Sequence, residues 1–341
     1  MLRESDTILV TGGLGFIGSH LINYILKGET SVCHIYNLDA LRSGSNRSNI
    51  DYSNLDCSRY TLLVGDINDV ATMNFPKPNI IVNLAAETHV DRSICNPGQF
   101  VSSNYLGVYH LLEYARKNDI SKFVQVSTDE VYGESPIGYS FNEDDNLMPG
   151  NPYSATKAAA DLLSISYMRT YGLNVSITRC TNNFGPNQGA EKLIPLTIIR
   201  ILKGLPILLY GDGQQVRDWL YVNDHVTAIC EVMKSVNANG IYNISASNLL
   251  SNYELVQKIN RLTQEFAGKS SSIENVQDRP GHDKRYSLNS TKIRTQLKWK
   301  PTFDFDVALL RTVKWYMRNE KWLFSSANQH QTNEFKILDS I

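Results

Sequence analysis

The chain has 341 residues, of which 42% are hydrophobic and 20% charged, and its formal net charge is -1. This length suits two domains, and the balanced charge gives no electrostatic reason to expect nucleic acid or an anionic membrane as a partner. No apolar run approaches the ~20 residues of a membrane span, and the scattered cysteines form no C-x-x-C pair, so we expect a soluble, cytoplasmic protein with free thiols and no metal site.

Short apolar runs alternate with helical patterns along the first half of the chain. Strands are predicted over residues 7–10, 32–38, 62–64, 80–84 and 123–126. Long helices are predicted over residues 97–117 and 153–171. This alternation predicts an α/β fold, in which a doubly wound parallel sheet of the Rossmann type is covered by helices on both faces.

The second half of the chain has shorter elements and more glycine, proline and aromatic residues. We therefore place the Rossmann domain at residues 1–184 and a smaller mixed C-terminal substrate lobe at 185–324. Elements of the two units can interleave. Residues 325–341 are polar and are predicted to form a tail.

Three glycines follow the first predicted strand and open the next helix. Gly12, Gly15 and Gly18 have the spacing in which one glycine permits a tight turn, one lets the backbone approach a pyrophosphate, and one lets helix and strand pack closely. The helix N-terminus adds unpaired N–H groups and the positive end of a dipole. A purely structural turn is the alternative interpretation. The strand, turn and helix in sequence favour a dinucleotide site.

Two further features favour NAD as the dinucleotide. Asp39 ends the second predicted strand, where a carboxylate binds the ribose hydroxyls of adenosine and repels the 2′-phosphate of NADP. Asp66 and Ile67 follow the third strand and are placed to flank the adenine. The sequence therefore predicts NAD rather than NADP.

Tyr153 and Lys157 stand four residues apart at the start of a predicted helix and so share one face. A free tyrosine has a pKa of about 10, too high for a base at neutral pH. A lysine ammonium and a nicotinamide cation favour the phenolate, so we expect a lowered Tyr153 pKa and a Lys157 that also holds the nicotinamide ribose. The Y-x-x-x-K spacing is common by chance on helices, and here it gains weight from the glycine turn upstream.

An acidic pair follows the fifth predicted strand. Thr128, Asp129 and Glu130 stand at its carboxyl end, where ligands of open α/β sheets lie. Two adjacent carboxylates beside a hydroxyl can divide acid and base roles when their environments separate their pKa values. A solvated acidic turn is the alternative, and the neighbouring motifs weigh against it.

A series of motifs extends over nearly the whole chain, from residue 7 to about residue 322. They read TGGLGFIGS, GDI, NLAAETHVDRSI, VSTDEVYG, NPYSATKAAAD, RCTNNFGPNQGAEKLIP, YGDGQQVRDWLYVNDH, YNIS and DRPGHDKRY. Together they resemble the extended short-chain dehydrogenase/reductase superfamily and, within it, the nucleoside-diphosphate-glucose 4,6-dehydratases. The Thr-Asp-Glu sequence is the narrowest of these marks, since the related 4-epimerases usually carry other residues there.

The resemblance implies a dehydration with NAD as a regenerated cofactor. Tyr153 takes the proton from the sugar O4 as C4 is oxidised, with Thr128 bonded near O4. Glu130 then removes the C5 proton while Asp129 protonates the departing O6 as water, which joins an acid and a base in one step. Reduction at C6 yields a 4-keto-6-deoxy sugar nucleotide, and the favoured substrate is the dTDP-linked glucose.

The same resemblance assigns binding residues and a partner. Contacts to NAD are implied for Phe16, Ile17, Ala85, Ala86, Ser103 and Lys157. The nucleoside-diphosphate sugar is implied to meet Thr88, Asn182, Lys192, Leu193, Tyr210, Arg217, Asn248, Arg279 and Tyr286. Arginine suits this task because a guanidinium binds phosphate oxygens in a fork. A homodimer is implied as well, formed through the two long predicted helices.

Several other functions stay open. A UDP-glucose 4,6-dehydratase differs only in the nucleotide, and a 4-epimerase or decarboxylase would use the same scaffold. An epimerase has no leaving group to protonate, so Asp129 and Glu130 weigh against it. A catalytically inactive NAD-binding protein would not need both carboxylates with Tyr153 and Lys157, and a structural subunit would not need the arginines of the second lobe.

Overall fold

Seven parallel strands form the main sheet of the computed structural model, which describes residues 6–29, 34–53, 55–235 and 238–330. The strands in chain order are β1 (Thr7–Thr11), β2 (His34–Asp39), β3 (Tyr60–Val64), β4 (Ile80–Asn83), β5 (Lys122–Thr128), β6 (Val175–Cys180), β7 (Asn182–Phe184), β8 (Ile207–Tyr210), β9 (Val216–Tyr221), β10 (Gly240–Ile244), β11 (Leu249–Ser251) and β12 (Ile273–Val276). The main sheet has the order β10-β6-β5-β4-β1-β2-β3. The predicted doubly wound parallel sheet is therefore confirmed.

Helices cover both faces of this sheet and build the second lobe. They are α1 (Phe16–Tyr24), α2 (Val90–Cys95), α3 (Pro97–Phe100), α4 (Gly107–Lys117), α5 (Pro152–Tyr171), α6 (Leu193–Leu202), α7 (Val222–Lys234), α8 (Asn252–Ala267), α9 (Thr291–Gln296), α10 (Phe305–Arg318) and α11 (Glu320–His330). One face packs against α1 and α7, and the other against α4 and α5. The strands are rich in buried valine and isoleucine because both faces are covered.

The second lobe has its own small sheets and its own apolar core. In the three-stranded sheet β11-β9-β7, β9 pairs antiparallel with β11 and parallel with β7, while β8 pairs with β12 in a separate ribbon. Helices α6, α8 and α10 bury Ile198, Leu255 and Val313 against each other. The mixed character predicted for this lobe agrees with these pairings.

The two units interleave, because β10 joins the main sheet beside β6 although it lies far beyond residue 184. The chain therefore enters the second lobe, returns to the first unit, and leaves it again. The division at residues 184 and 324 stays a prediction about folding units.

Some predicted elements differ in detail. The helix predicted over 97–117 is continuous, but it consists of α3, a π-helical segment Val101–Leu106 and α4. The strand predicted from Val32 begins at His34, and residues 30–33 lie outside the described residues. The strand β3 is only partly buried because it forms an edge of the sheet.

The predicted polar tail does not begin at Ser325, because α11 continues through that position. The helix is anchored by Leu323, which is fully buried, and by the buried Ser326. Residues 331–341, the rest of the predicted tail, lie outside the described residues. Over the described part of the chain, no helix combines the length and apolarity needed to cross a bilayer.

Candidate active site

The glycine turn joins β1 to α1 at the carboxyl edge of the main sheet. Gly12 has φ +66°, and a Cβ there would lie 2.8 Å from the Cα of Ala85. A Cβ on Gly18 would lie 2.8 Å from the Cα of Gly13. Helix α1 begins after Gly15 without a side-chain cap and without an acidic residue in its first turn. Its positive end is therefore open to an anion, as a pyrophosphate site requires.

Substitution of Gly18 tests the close packing in this turn. We expect Gly18→Ala to destabilise the protein by roughly 1–3 kcal/mol, because the added methyl group has to displace backbone. The measurement is urea unfolding. Gly98→Ala is the matched control, since its Cβ would find nothing nearer than an Asn96 oxygen at 3.9 Å. Equal stabilities for the two variants would show that the turn accommodates a methyl group at Gly18 without strain.

A cavity lies beside this turn, and most of the predicted cofactor residues line it. Its lining includes Gly12, Asp39, Asp66, Ile67, Ala85, Ala86 and Ser103. Phe16 and Ile17 form the first turn of α1 and pack their side chains against the core of the second lobe. The lining residues form one cleft from the turn to the end of β3, and Phe16 and Ile17 lie outside that lining.

Asp39, the residue predicted to bind the ribose, ends β2, and its carboxylate is hydrogen-bonded by the protein. Its carboxylate accepts from the Leu14 N–H at 2.9 Å, the Leu41 N–H at 2.9 Å and the Ser45 hydroxyl at 2.6 Å. A carboxylate has about four acceptor positions, so capacity for a ribose hydroxyl is left. The sequence did not reveal Arg42, which lines the same cavity and pairs with Asp66 at 2.5 Å.

The acidic pair lies on a 3₁₀ turn, Asp129–Tyr132, directly after β5. The Thr128 hydroxyl donates to Asp129 Oδ1 at 3.2 Å and accepts from the Glu130 N–H at 3.3 Å. Asp129 Oδ2 and Glu130 Oε2 are buried and have no hydrogen-bond partner among the described residues. Two buried carboxylate oxygens without a partner indicate that a ligand supplies hydrogen bonds here.

The surroundings of Asp129 raise the pKa of its carboxyl group. Burial raises the pKa of Asp129 well above its usual range, and the Glu130 carboxylate adds to the increase, while the Arg217 guanidinium opposes it. The raised pKa favours the protonated form of Asp129. This agrees with the donor role that the resemblance implies for it.

The raised pKa of Asp129 predicts a stability effect. An unfolded aspartate titrates near pH ~3.9. Above that pH the unfolded chain releases a proton that the folded protein keeps, so the free energy of unfolding falls as pH rises. Asp129→Asn has no such proton, and its stability relative to wild type should increase as the pH rises from about 4 towards neutral pH. Urea unfolding across this range measures the difference, and a pH-independent difference would contradict the assignment.

Tyr153 and Lys157 lie one turn apart at the start of α5. Asn151 caps this helix in a capping box with Ser154, and Pro152 occupies its first turn. Both Tyr153 and Lys157 are buried, and the Lys157 ammonium donates to Val126 O at 2.7 Å. The cap therefore fixes where the helix begins, and so where both side chains enter the site.

The expected lowering of the Tyr153 pKa is not observed in the protein alone. Burial raises that pKa well above its usual value, and the Glu130 carboxylate raises it further, while the Thr128 hydroxyl opposes the shift. The lysine does not offset this, because burial lowers the Lys157 pKa and its ammonium is directed at a carbonyl. The positive nicotinamide ring is the remaining charge that can favour the phenolate.

A second cavity extends from Glu130 into the second lobe. Predicted substrate residues that line it are Thr88, Asn182, Lys192, Leu193, Tyr210, Arg217 and Arg279. Arg217 is buried and donates to Val216 O at 2.9 Å and to Asp283 O at 2.8 Å. Two guanidinium groups in one cleft with Glu130 make it suitable for a diphosphate attached to a reacting group.

Two predicted substrate residues do not line this cavity. The Asn248 side chain donates to Trp219 O at 3.1 Å and faces a different surface cavity. Tyr286 lies behind Arg217, with its ring centroid 4.3 Å from the guanidinium, and its hydroxyl donates to Asp283 at 2.6 Å. Tyr286 therefore positions Arg217 instead of facing the cavity.

Other lining residues were missed from the sequence. The polar ones include Asp91, Asn183, Gln188, Asn252 and His282. Asn252 opens α8 only four residues after Asn248, in the same short segment, so the sequence alone could not choose between them. Asp91 accepts from Arg279 at 3.1 Å and from Tyr210 at 3.3 Å, contacts that cross large sequence separations.

Comparison with known proteins places this site in a family. Residues 9–312 match the family model described as GDP-mannose 4,6 dehydratase. A dTDP-glucose 4,6-dehydratase of Actinoplanes sp. is 40% identical over 321 residues, which cover 92% of this chain and 99% of that protein.

Solved structures agree with this assignment. The dTDP-glucose 4,6-dehydratase DesIV of Streptomyces venezuelae, with NAD bound, is 40% identical and superposes with a TM-score of 0.87 over 93% of this chain and 98% of its own. A Thermus thermophilus UDP-glucose 4-epimerase with NAD is 30% identical, with a TM-score of 0.82 over 92% and 99%. The chain therefore belongs to the nucleotide-sugar 4,6-dehydratase family that its motifs resemble.

Proposed function

We propose that this protein is a hydro-lyase that converts dTDP-glucose to the 4-keto-6-deoxy sugar nucleotide. The observation that carries the proposal is the acidic turn after β5. It combines Asp129, whose pKa is raised by burial, with Glu130, which lines the large cavity that also holds Arg217. An acid and a base on adjacent residues suit the removal of water across one carbon–carbon bond.

The residues of the glycine cleft fit NAD. A cradle that a Cβ on Gly12 would fill, the uncapped start of α1 and the carboxylate of Asp39 suit a pyrophosphate and an adenosine ribose. Bound there, NAD supplies a hydride acceptor and, once reduced, a hydride donor. Lys157 would hold the nicotinamide ribose, and Ser103 would contact the cofactor from the π-helical segment.

The protein side chains would move three protons. Tyr153 Oη accepts the O4 proton when C4 becomes a ketone, and Thr128 bonds the same oxygen. The ketone acidifies C5–H, whose proton passes to Glu130. The C6–O6 bond breaks as Asp129 gives its proton to O6, so that water leaves. Reduction at C6 and return of a proton to C5 complete the product, and the atoms balance as substrate minus water.

The dTDP specificity rests on the relatives and on the cavity. Relatives named dTDP-glucose 4,6-dehydratase are 40% identical over more than nine tenths of the chain. Arg217 and Arg279 would bind the diphosphate, and Tyr210 and Leu193 lie in the part of the cavity that would take the base. A UDP-linked glucose would contact the same arginines, so specificity for the nucleotide base has to be tested directly.

An epimerase is the second candidate, because a UDP-glucose 4-epimerase shares the fold and 30% of the sequence. It would use Tyr153 and NAD in the same way. The buried Asp129, whose pKa is raised, disfavours an epimerase, because epimerisation at C4 releases no leaving group that needs an acid.

Turnover in deuterium oxide distinguishes the candidates. With dTDP-glucose, a dehydratase yields a product that has lost water and carries one deuterium at C5, visible by proton NMR. An epimerase yields a sugar of unchanged composition with hydrogen retained at C5. UDP-glucose in a parallel reaction tests specificity for the nucleotide base. Faster turnover of UDP-glucose would overturn the dTDP assignment.

The proposal also includes a cytoplasmic location and a homodimer. The helices α4 and α5 leave Tyr109, Leu162 and Tyr171 exposed on one side of the first unit. Such a surface suits a symmetric contact with a second copy. Light scattering should give about twice the 38.4 kDa of one chain, and a mass of one chain would refute the dimer.

A further inference from the structure

The C-terminal helices α10 and α11 contact residues next to both binding clefts. Neither helix contributes a side chain to the lining of either cleft. Trp322 of α11 donates its indole N–H to Asn49 Oδ1 at 3.0 Å. Tyr316 of α10 is fully buried, and its hydroxyl lies 3.1 Å from Gly185 O and 2.9 Å from Gln188 O. Each helix therefore sends one polar contact towards a different site.

The Trp322 contact leads to the glycine turn. Asn49 is 2% exposed, and its amide donates to Leu14 O at 2.9 Å. Leu14 belongs to the turn, and its own N–H donates to Asp39 at 2.9 Å. The Leu14 carbonyl and the Gly15 N–H share one planar peptide, so a bond to the carbonyl orients the residue that precedes α1.

The Tyr316 contact leads to the nucleotide cavity. Gln188 lines that cavity, and its side chain donates to Asn183 O at 2.8 Å. The Tyr316 hydroxyl therefore holds the backbone of a segment that borders the cavity. The rings of Tyr316 and Trp322 lie 6.2 Å apart, so the two contacts come from one packed pair of helices.

We propose that the α10–α11 pair positions both clefts, with Trp322 acting through Asn49 on the NAD-binding turn and Tyr316 acting on the 185–188 segment beside the sugar nucleotide. This inference rests on the proposed function for the identity of the two ligands. Both residues are positioning residues, because neither lines a cleft. The two side chains should therefore affect the binding of different ligands.

Calorimetric titrations of the full chain with NAD and with dTDP test this separation. Trp322→Phe keeps the ring and removes the N–H, and we expect NAD affinity to fall about fivefold with dTDP affinity changed less than about twofold. Tyr316→Phe should show the reverse. Trp315→Phe is the matched control, because the Trp315 indole N–H has no hydrogen bond within the described part of the chain, and it should change neither affinity.

A double variant tests whether Trp322 acts through Asn49. If Trp322 acts through Asn49, adding Trp322→Phe to Asn49→Ala should weaken NAD binding no further than Asn49→Ala alone. Melting temperatures of the ligand-free variants are measured beside the titrations. A lower melting temperature for Trp322→Phe with unchanged NAD affinity would overturn the inference, since it would leave only a structural role. Failure of the wild-type protein to bind NAD would overturn the proposed function and the inference together.

Discussion

Replacing Asp129 with asparagine and Glu130 with glutamine together is expected to stop the loss of water from dTDP-glucose while C4 oxidation continues. General acid and base catalysis each contribute roughly 10²–10⁴ in rate, so the combined loss should exceed about 10⁴. The replacements keep the size of both side chains. They remove the proton that Asp129 would give to O6 and the basic form of Glu130 that would accept the C5 proton.

Two measurements separate the steps in this variant. Single-turnover absorbance of the reduced cofactor reports C4 oxidation, and product mass reports elimination. Asp306→Asn with Glu231→Gln is the matched control, because both carboxylates are surface groups with side chains 70% and 40% exposed. Elimination at the wild-type rate in the double variant would move the acid and base to other residues.

Tyr153→Phe is expected to have the second largest effect, a fall of roughly 10²–10⁴ in kcat. The ring stays in place against Phe100, whose centroid is 6.4 Å away, so the variant loses the hydroxyl and little packing. Because burial raises the Tyr153 pKa, the fraction of phenolate in the protein alone is small and grows with pH. The wild-type rate of C4 oxidation should therefore rise with pH, and the residual rate of the variant should not.

The pH profile distinguishes loss of the proton acceptor from an indirect structural effect of the Tyr153→Phe substitution. Tyr139→Phe is the control, since the Tyr139 hydroxyl donates to the Asp145 carboxylate and Tyr139 lines neither cleft. A Tyr153→Phe enzyme that keeps both its rate and the wild-type pH profile would show that another group takes the O4 proton.

Local patterns were enough to predict the main sheet and the strand ends and helix start that carry the candidate side chains. Glycine spacing, a carboxylate at a strand end and a four-residue separation on a helix each depend on neighbours in the chain. Tyr153 and Lys157 share a face because any helix places such residues together. Glu130 lines the cleft because its turn follows the carboxyl end of β5, and the carboxyl ends of parallel strands meet at one edge.

Contacts between distant segments could not be predicted in the same way. The return of β10 to the main sheet, the choice of Asn252 over Asn248 and the path from Trp322 to Asn49 all depend on three-dimensional packing. The direction of the Tyr153 pKa shift also depends on burial. A motif gives the partners of a side chain but not how much water surrounds it.

Mass spectrometry of dTDP-glucose incubated with the purified protein and NAD tests the central claim most directly. The dehydratase assignment predicts conversion to a species lighter by one water, about 18 Da. Complete recovery of the starting mass, with NAD bound to the protein, would contradict that assignment and favour epimerisation.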